Sequence, residues 1–591
     1  MFSIYLLIGA CVALSAWLYR NYSTLSRHGI KHGPFVPLLG DMAGVLFTKE
    51  HIADVVMRAY ERFPQESTCH YRNYSTLSRH GIKLGPFVPL LGDMAGVLFS
   101  KEHIADVVMR AYEKFPQERL VGRYEFLTPY VMVKDLNLLK RITVTDFNHF
   151  VDRISVDAKA DPIFNRMLLC LRGDEWKEMR SALSPVFTSS KIRLMVPFMV
   201  QVGDHMIRAL KTKIEQSEVD YIDLQAKDLT RRFANDVIAT CVFGLDVNSQ
   251  YEENDFFKMG KELTTVTFIF KMRFLGFMIV PSIMSALQLT VFSQKVIGFF
   301  TNVVLGAIKQ REEQNIYRPD MIHLLMEAKK GKLAHDTKST KDDHAGFATV
   351  EESDVGKVKN KTVWTDFDLV AQAVIFLFPG YDTVASTMSF LLYELAVNPD
   401  CQERLFREIQ ENEEKNGKID YNSVQHMTYL DMVISEVLRK WPGSISQTRV
   451  CVKDYNLGKP NDKATKDVIL RKGEAVQIPM WAYHRDPKYF PDPEKFDPER
   501  FSVENKHKID PVAYMPFGLG PRNCIASRFA LCEIKVMAYQ LLLHMEVTPC
   551  EKTIIPITLS AQNGFRMSVT GGNWVRFRPR KNGVGNCQKL L

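Results

Sequence analysis

The stretch PFGLGPRNCIASRFA, residues 516–530, sets one thiol, Cys524, between a Gly/Pro-rich loop and an apolar helical run. Gly518 and Gly520 permit positive φ and let the backbone approach a large flat ligand closely. A helix expected from near Ile525 points its positive dipole end at Cys524, which favours thiolate. Backbone N–H groups of the loop can donate to the sulfur and tune its potential. Arg522 can reach a carboxylate on a cofactor. A thiolate in this setting is what a bound iron needs on one axial side to push electron density toward oxygen. A lone cysteine is more often a small buried hydrophobe, but that reading leaves the glycines and the arginine unexplained.

Outward from the loop, three further stretches carry chemistry. ISEVLRKWP holds Glu436 and Arg439 three residues apart on one helix face, and FDPERF supplies Arg500. DEWKEMRSALSP sets Trp176 and Arg180 at i,i+4, where both can reach one carboxylate edge. The run TDFDLVAQAVIFLFPGYDTVASTMSFLLYELAVNP is one long helical pattern with Thr365 and Asp368 as a capping box. At its middle, Asp382 and Thr383 put an acid beside a hydroxyl in an apolar setting, which suits a proton relay in a dry pocket. Solvated surface charge is the competing reading of each pair taken alone.

These stretches, in this order, resemble the cytochrome P-450 superfamily. Phe517, Gly520, Arg522 and Cys524 match its haem-binding loop, and Ala526 stands where the pattern has glycine. Glu436, Arg439 and Arg500 match its structural charge cluster. Trp176 and Arg180 match its helix-C pair, Arg449 a third propionate partner, and Arg153 a fourth more loosely. Gly380, Asp382 and Thr383 match the oxygen-activating motif of its helix I, with Thr383 hydrogen-bonding the oxygen and Asp382 supplying protons. Pro379 departs from that motif, which has Ala or Gly there. A proline inside a helix removes one hydrogen bond and costs about 3 kcal/mol in an ordinary setting.

The resemblance covers about residues 121–580 and implies a mostly α fold, a triangular helical prism with small β-sheets. It implies haem b (iron protoporphyrin IX) with Cys524 as the metal ligand. The implied reaction inserts one atom of O2 into an apolar small molecule with electrons from NADPH through a flavoprotein reductase. NADPH–cytochrome reductase and cytochrome b5 are the expected protein partners. Lys177, Arg528 and Lys535 are candidates for docking an acidic reductase. The motif wording is similar to that of insect detoxification-type members, so a xenobiotic substrate is expected. Phe376, Phe378 and residues 560–566 are expected to line its pocket. The same motifs admit a haem-thiolate isomerase or dehydratase, against which Asp382 and Thr383 count, or a non-catalytic haem protein.

The rest of the 591-residue chain is consistent with this. A net charge of +8 is spread without a basic arm, which gives no support to nucleic-acid binding. Ten cysteines without a C-x-x-C pair argue against a zinc ribbon or a disulfide framework. Residues 2–19 are apolar and uncharged, long enough as a helix (about 27 Å) to span a bilayer core. Arg20, Arg27 and Lys31 follow, so residues 1–19 read as a single-pass anchor with the catalytic part on the cytosolic face of the endoplasmic reticulum. A cleaved signal is the alternative, with Ala13-x-Ser15 as its site.

Residues 19–66 recur at 71–118 with three differences, His32/Leu84, Thr48/Ser100 and Arg62/Lys114. Two copies are too few for a solenoid. Residues 19–70 therefore read as a supernumerary duplicate, and 71–591 as the catalytic domain. Helices are expected over 135–142, 172–211, 225–243, 294–328, 366–397, 399–414 and 430–441. Strands are expected near 122–134, 448–455, 468–479 and 545–580. The charged segment 329–362 reads as a surface loop.

Overall fold

The structure is a computed structural model that describes residues 82–84, 92–126, 128–153, 158, 160–279, 281–331, 346–349 and 364–580. The anchor, the first duplicate copy and most of 329–362 lie outside the described residues. The second copy is described over 82–84 and from Gly92 onward, and it packs: the Ile104–Lys114 helix buries Val107, Val108 and Ala111.

The organising element is the Asp366–Val397 helix. Its first turn is closed by reciprocal bonds: Thr365 Oγ1 accepts from the Asp368 N–H at 3.2 Å, and Asp368 Oδ2 accepts from the Thr365 N–H at 2.8 Å. Asn398 ends it, and Pro399 opens the next helix, Pro399–Asn416, where its missing N–H costs nothing. By length and hydropathy this helix could cross a bilayer, yet 67% of its most apolar window is buried in protein. Its buried polar residues are matched within the fold. Asp368 pairs with Arg166 at 2.6 Å, and Gln372 accepts from the Leu168 N–H at 3.1 Å. It is a core helix.

Around it pack Ala226–Cys241, Gln294–Gln314, Thr428–Lys440 and Ser527–His544, all apolar on the inward side. A five-stranded sheet lies to one side in the order Lys83–Leu84, Leu120–Glu125, Thr128–Val133, Ala475–Ile478, Gln447–Val450. It is mixed: Thr128–Val133 runs parallel to Ala475–Ile478, and Gln447–Val450 antiparallel to it. A second, antiparallel sheet joins Ile222–Gln225, Trp574–Pro579 and Met545–Thr548. The fold is mostly helical with small sheets, as expected.

Several boundaries differ from the sequence reading. The run 172–211 breaks into Gly173–Leu183 and Ser189–Glu215 with a tight turn at Pro185. The run 294–328 breaks at Asn315, whose φ of 52° caps one helix before Asp320 caps the next. Helices Asp255–Thr264, Phe268–Ile279 and Pro281–Ala286 were not anticipated.

Glu436 and Arg439 are fully buried and joined by two bonds, at 2.7 and 2.9 Å. Arg439 also donates to the carbonyls of His484 at 2.8 Å and Pro493 at 2.7 Å, while Glu436 accepts from the Asp497 N–H at 2.9 Å. Arg500 approaches Glu436 at 3.4 Å from a less buried position. Breaking a buried pair from one side leaves an unpaired charge and costs about 3–5 kcal/mol. Arg439→Met is therefore expected to lower the urea midpoint followed by circular dichroism far more than Arg500→Met does. Equal losses from the two variants would contradict this placement of the charges.

Candidate active site

The loop 516–526 is set by two close approaches. Gly520 has φ of +67°, and a Cβ there would fall 1.7 Å from the Thr143 carbonyl oxygen. Gly518 has φ of +80°, and its Cβ would meet the Gln447 side chain at 2.7 Å. The Cys524 N–H donates to the Phe517 carbonyl at 2.9 Å, closing the loop back on itself. Ala526 has φ of −98°, an ordinary conformation for a residue with a Cβ, so alanine fits where the family pattern has glycine.

Cys524 keeps exposed surface while its neighbours Arg522, Asn523 and Ser527 are buried. It thus faces an internal cleft rather than bulk water. Burial pushes its thiol above the usual range, outweighing the Ala526 N–H bond and the nearby Arg180 and Arg153. This differs from the expectation of a dipole-stabilised thiolate. The helix starts at Ser527, and in the bare chain desolvation wins. A metal ion would reverse that, because a coordinating thiol is deprotonated outright.

Four arginines surround the loop. Arg522 donates to the Val151 and Leu171 carbonyls, each at 2.8 Å, and its guanidinium lies 3.9 Å from the Trp176 ring centroid. Arg180 grips Asn523 twice, at the carbonyl (3.0 Å) and at Oδ1 (2.7 Å). Arg153 donates to the Arg522 carbonyl at 2.5 Å, and its Nε is buried without a partner. Arg449 is fully buried with an unpartnered Nε; its nearest acceptor is the adjacent Thr448 carbonyl at 2.9 Å.

Among the described residues no carboxylate lies within 4.0 Å of Arg449 or Arg153, and only Asp152, at 3.9 Å, approaches Arg522. Burial and mutual repulsion push Arg449 well below the usual arginine range and Arg522 down to about 8. Buried guanidiniums of this kind require anions. A flat macrocycle carrying two carboxylates would supply them, with Cys524 and the positive-φ glycines Gly518 and Gly520 beside it to hold it. The donor set therefore fits haem.

Beyond that cleft, a cavity of about 350 Å³ is lined by Phe378, Pro379, Asp382, Thr383, Ile445, Phe565 and Arg566, among others. Thr383 Oγ1 donates to the Pro379 carbonyl at 2.7 Å. The helix runs on through Pro379, so the proline keeps the acceptor carbonyl that Thr383 uses. Gly380 is not part of this lining. An added Cβ there would meet only Ile238, at 3.6 Å on the neighbouring helix. Phe376 likewise turns away and packs on Phe187 at 5.0 Å.

Asp382 is ringed by cations: Arg231 at 3.1 Å, Lys227 at 3.4 Å and Arg566 at 3.9 Å. Their charges hold its carboxyl below the usual range against the cost of burial. Lys227 pays for this position, with desolvation bringing it down to about 8.

A family model described as Cytochrome P450 matches residues 83–571. The chain belongs to this family. It is 41% identical over 524 residues to cytochrome P450 9e2 of Blattella germanica, covering 86% of this chain and 95% of that protein. It is also 41% identical over 511 residues to probable cytochrome P450 9f2 of Drosophila melanogaster (85% and 94%), and 36% identical to probable cytochrome P450 6a13 of the same species over 509 residues (85% and 94%). Like the family, this P450 is a haem-thiolate monooxygenase.

Sequence reasoning missed Lys227, Arg231 and His484. The first two stand on the Ala226–Cys241 helix, whose sequence carries no local sign of Asp382. His484 accepts from the Met515 N–H at 3.0 Å and faces the Arg439 carbonyl at 3.1 Å, which links the buried ion pair to the cysteine loop. Burial pushes it down to about 3, so it stays neutral. Of the docking candidates, Lys177 and Arg528 are partly exposed, but Lys535 is 1% exposed and pairs with Asp431 at 3.2 Å. Lys535 is a core residue and cannot meet a partner.

Gly520→Ala is expected to abolish assembly of the haem-thiolate centre, because neither the φ nor the space accepts a Cβ. Ala526→Gly should cost at most about 1 kcal/mol. Yields of the reduced carbon monoxide complex of the two variants check this. A normal yield from Gly520→Ala would refute the close approach to Thr143.

Proposed function

We propose that this P450 is a membrane-anchored enzyme of the endoplasmic reticulum that oxidises apolar xenobiotics with electrons from NADPH through a flavoprotein reductase. Cys524 is the metal ligand in this reading, and Arg153, Arg180, Arg449 and Arg522 neutralise the carboxylates of the haem, with Trp176 backing Arg522. The observation that carries it is the pair of buried guanidiniums, Arg153 and Arg449, that have no carboxylate within reach among the described residues, beside a cleft-facing thiol. Glu436, Arg439 and Arg500 hold the segment that leads into the loop. Residues 71–591 form the catalytic domain, with 1–19 as anchor and 19–70 as a supernumerary copy. The 9e2 and 9f2 relatives support that division, since nearly their whole lengths are matched while about a seventh of this chain is left over.

When bound, the haem supplies the activation of dioxygen and the transfer of one oxygen atom to substrate. The surrounding residues exclude water and manage protons. Thr383 commits its proton to the Pro379 carbonyl, so its oxygen presents lone pairs that can hold a protonated oxygen in the cavity. Asp382 stays ionised and acts as a relay rather than a reservoir. Lys227, at about 8, is the member of the cluster with an exchangeable proton near neutral pH. Lys177 and Arg528 are the remaining docking candidates for the reductase, with cytochrome b5 as a second electron donor.

The reduced carbon monoxide difference spectrum tests the ligand: a strongly red-shifted Soret band is expected, and Cys524→Ser should lose it. A histidine-type band in the unaltered chain would overturn the assignment. With purified reductase, Thr383→Ala should keep the spectrum and oxidise NADPH while forming several-fold less product. Pro379→Ala should leave that coupling unchanged, because position 379 contributes its carbonyl. Product formation by Thr383→Ala at the parent rate would remove Thr383 from the proton path.

A further inference from the structure

The cavity beside Thr383 is apolar over most of its wall: Ile104, Leu263, Val266, Phe270, Phe378, Ile445, Phe565 and Met567 all contribute. Among the described residues only two charged side chains reach it, Asp382 and Arg566. They are poorly matched to each other. Among the described residues the Arg566 guanidinium has no hydrogen-bond partner, and its nearest acid is Asp382 Oδ1 at 3.9 Å. That same oxygen already accepts from Arg231 at 3.1 Å and faces Lys227 at 3.4 Å. Three cations thus share one carboxylate oxygen, and the cation left without a close partner is the one that lines the cavity.

Groups on the adjoining elements do not make up the difference. Asp228, on the same helix as Lys227 and Arg231, pairs with Arg232 at 3.0 Å. His103, on the helix start that faces the loop, is pushed down by burial and is neutral. Desolvation likewise lowers both Lys227 and Arg566, with neighbouring cations adding to it. In both groups burial outweighs the compensating charge of Asp382.

Arg566 is also held in place. His103 Nε2 contacts its carbonyl at 2.9 Å, and the Ile104 N–H donates to the Gly564 carbonyl at 2.9 Å. Gly564 is fixed in turn, since a Cβ there would fall 2.7 Å from the Glu102 carbonyl oxygen. A guanidinium carried on a fixed backbone, with donors unpaired among the described residues, at the edge of an apolar cavity, is a receptor for a carboxylate at the end of a hydrocarbon body.

We propose that this site selects amphipathic substrates bearing one carboxylate, with Arg566 as the specificity-determining residue. The proposal rests on the monooxygenase reading and narrows its substrate class.

Equilibrium dialysis of the haem-loaded protein with dodecanoic acid and with methyl dodecanoate tests it. The two probes differ in charge and little in apolar surface. The acid is expected to bind roughly ten- to a hundredfold more tightly than the ester, the range of a charge-assisted hydrogen bond. Arg566→Gln should abolish that preference and leave ester binding unchanged, and Arg566→Lys should restore part of it. The carbon monoxide spectrum of each variant, read in parallel, reports whether the thiolate centre is intact. Equal binding of acid and ester by the parent protein with a normal spectrum would overturn the proposal and leave the monooxygenase reading standing. So would a preference that survives Arg566→Gln. A parent protein without the thiolate band would overturn the monooxygenase reading, and the proposal with it.

Discussion

The buried ion pair of Glu436 and Arg439 is the constraint on which the catalytic face depends. Both side chains are fully buried, so each needs the other, and every remaining donor and acceptor must also be met. Those remaining bonds reach the His484 and Pro493 carbonyls and the Asp497 N–H. His484 passes the constraint on to the Met515 N–H, one residue before the cysteine loop begins. Gly520 then seats that loop against Thr143. The position of Cys524 is thereby fixed by backbone contacts on both sides, not by anything the sulfur itself does.

The distal side is built on a different principle. Thr383 and Asp382 are adjacent in sequence but point to different partners: Thr383 bonds back along its own helix, and Asp382 reaches across to the Ala226–Cys241 helix and the 564–566 loop. A helix turns about 100° per residue, so neighbours necessarily face different surroundings. One residue therefore meets the cavity through a hydroxyl, while the next meets it through a carboxylate whose charge is set by elements far away in the chain. Pro379 is compatible with this because the arrangement uses its carbonyl and not its missing N–H.

What the sequence made legible follows from this distinction. The cysteine loop, the Glu436–Arg439 pair and the Thr365 cap are local patterns, with partners a few residues apart or in ordered motifs, and they were readable. The cations around Asp382 come from positions 227, 231 and 566, and no spacing rule links them. Lys535 looked like a surface charge because its neighbours along the chain say nothing of Asp431. The Phe268–Ile279 helix escaped for another reason. FIFKMRFLGFMI is apolar nearly all round, which leaves no amphipathic period to read, and its helix leaves Ile269 largely exposed. Gly380 was read as part of the oxygen site from its place in a motif; a Cβ there would make only an ordinary contact with Ile238.

Both faces of the site share one electrostatic property, an excess of buried positive charge. On the thiol side Arg153 and Arg449 have no carboxylate within reach among the described residues, and on the distal side three cations share Asp382. Such charge costs folding free energy in the bare chain, because desolvation is not offset by a partner. An anion that binds only the folded state returns that cost by mass action, in proportion to the logarithm of its concentration over its dissociation constant. The guanidiniums proposed to hold the cofactor's carboxylates would therefore make the fold depend on it. A chain that kept the helices and lost the anion would carry its least stable region at the cysteine loop, where Arg449 and Arg522 repel each other with no solvent to screen them.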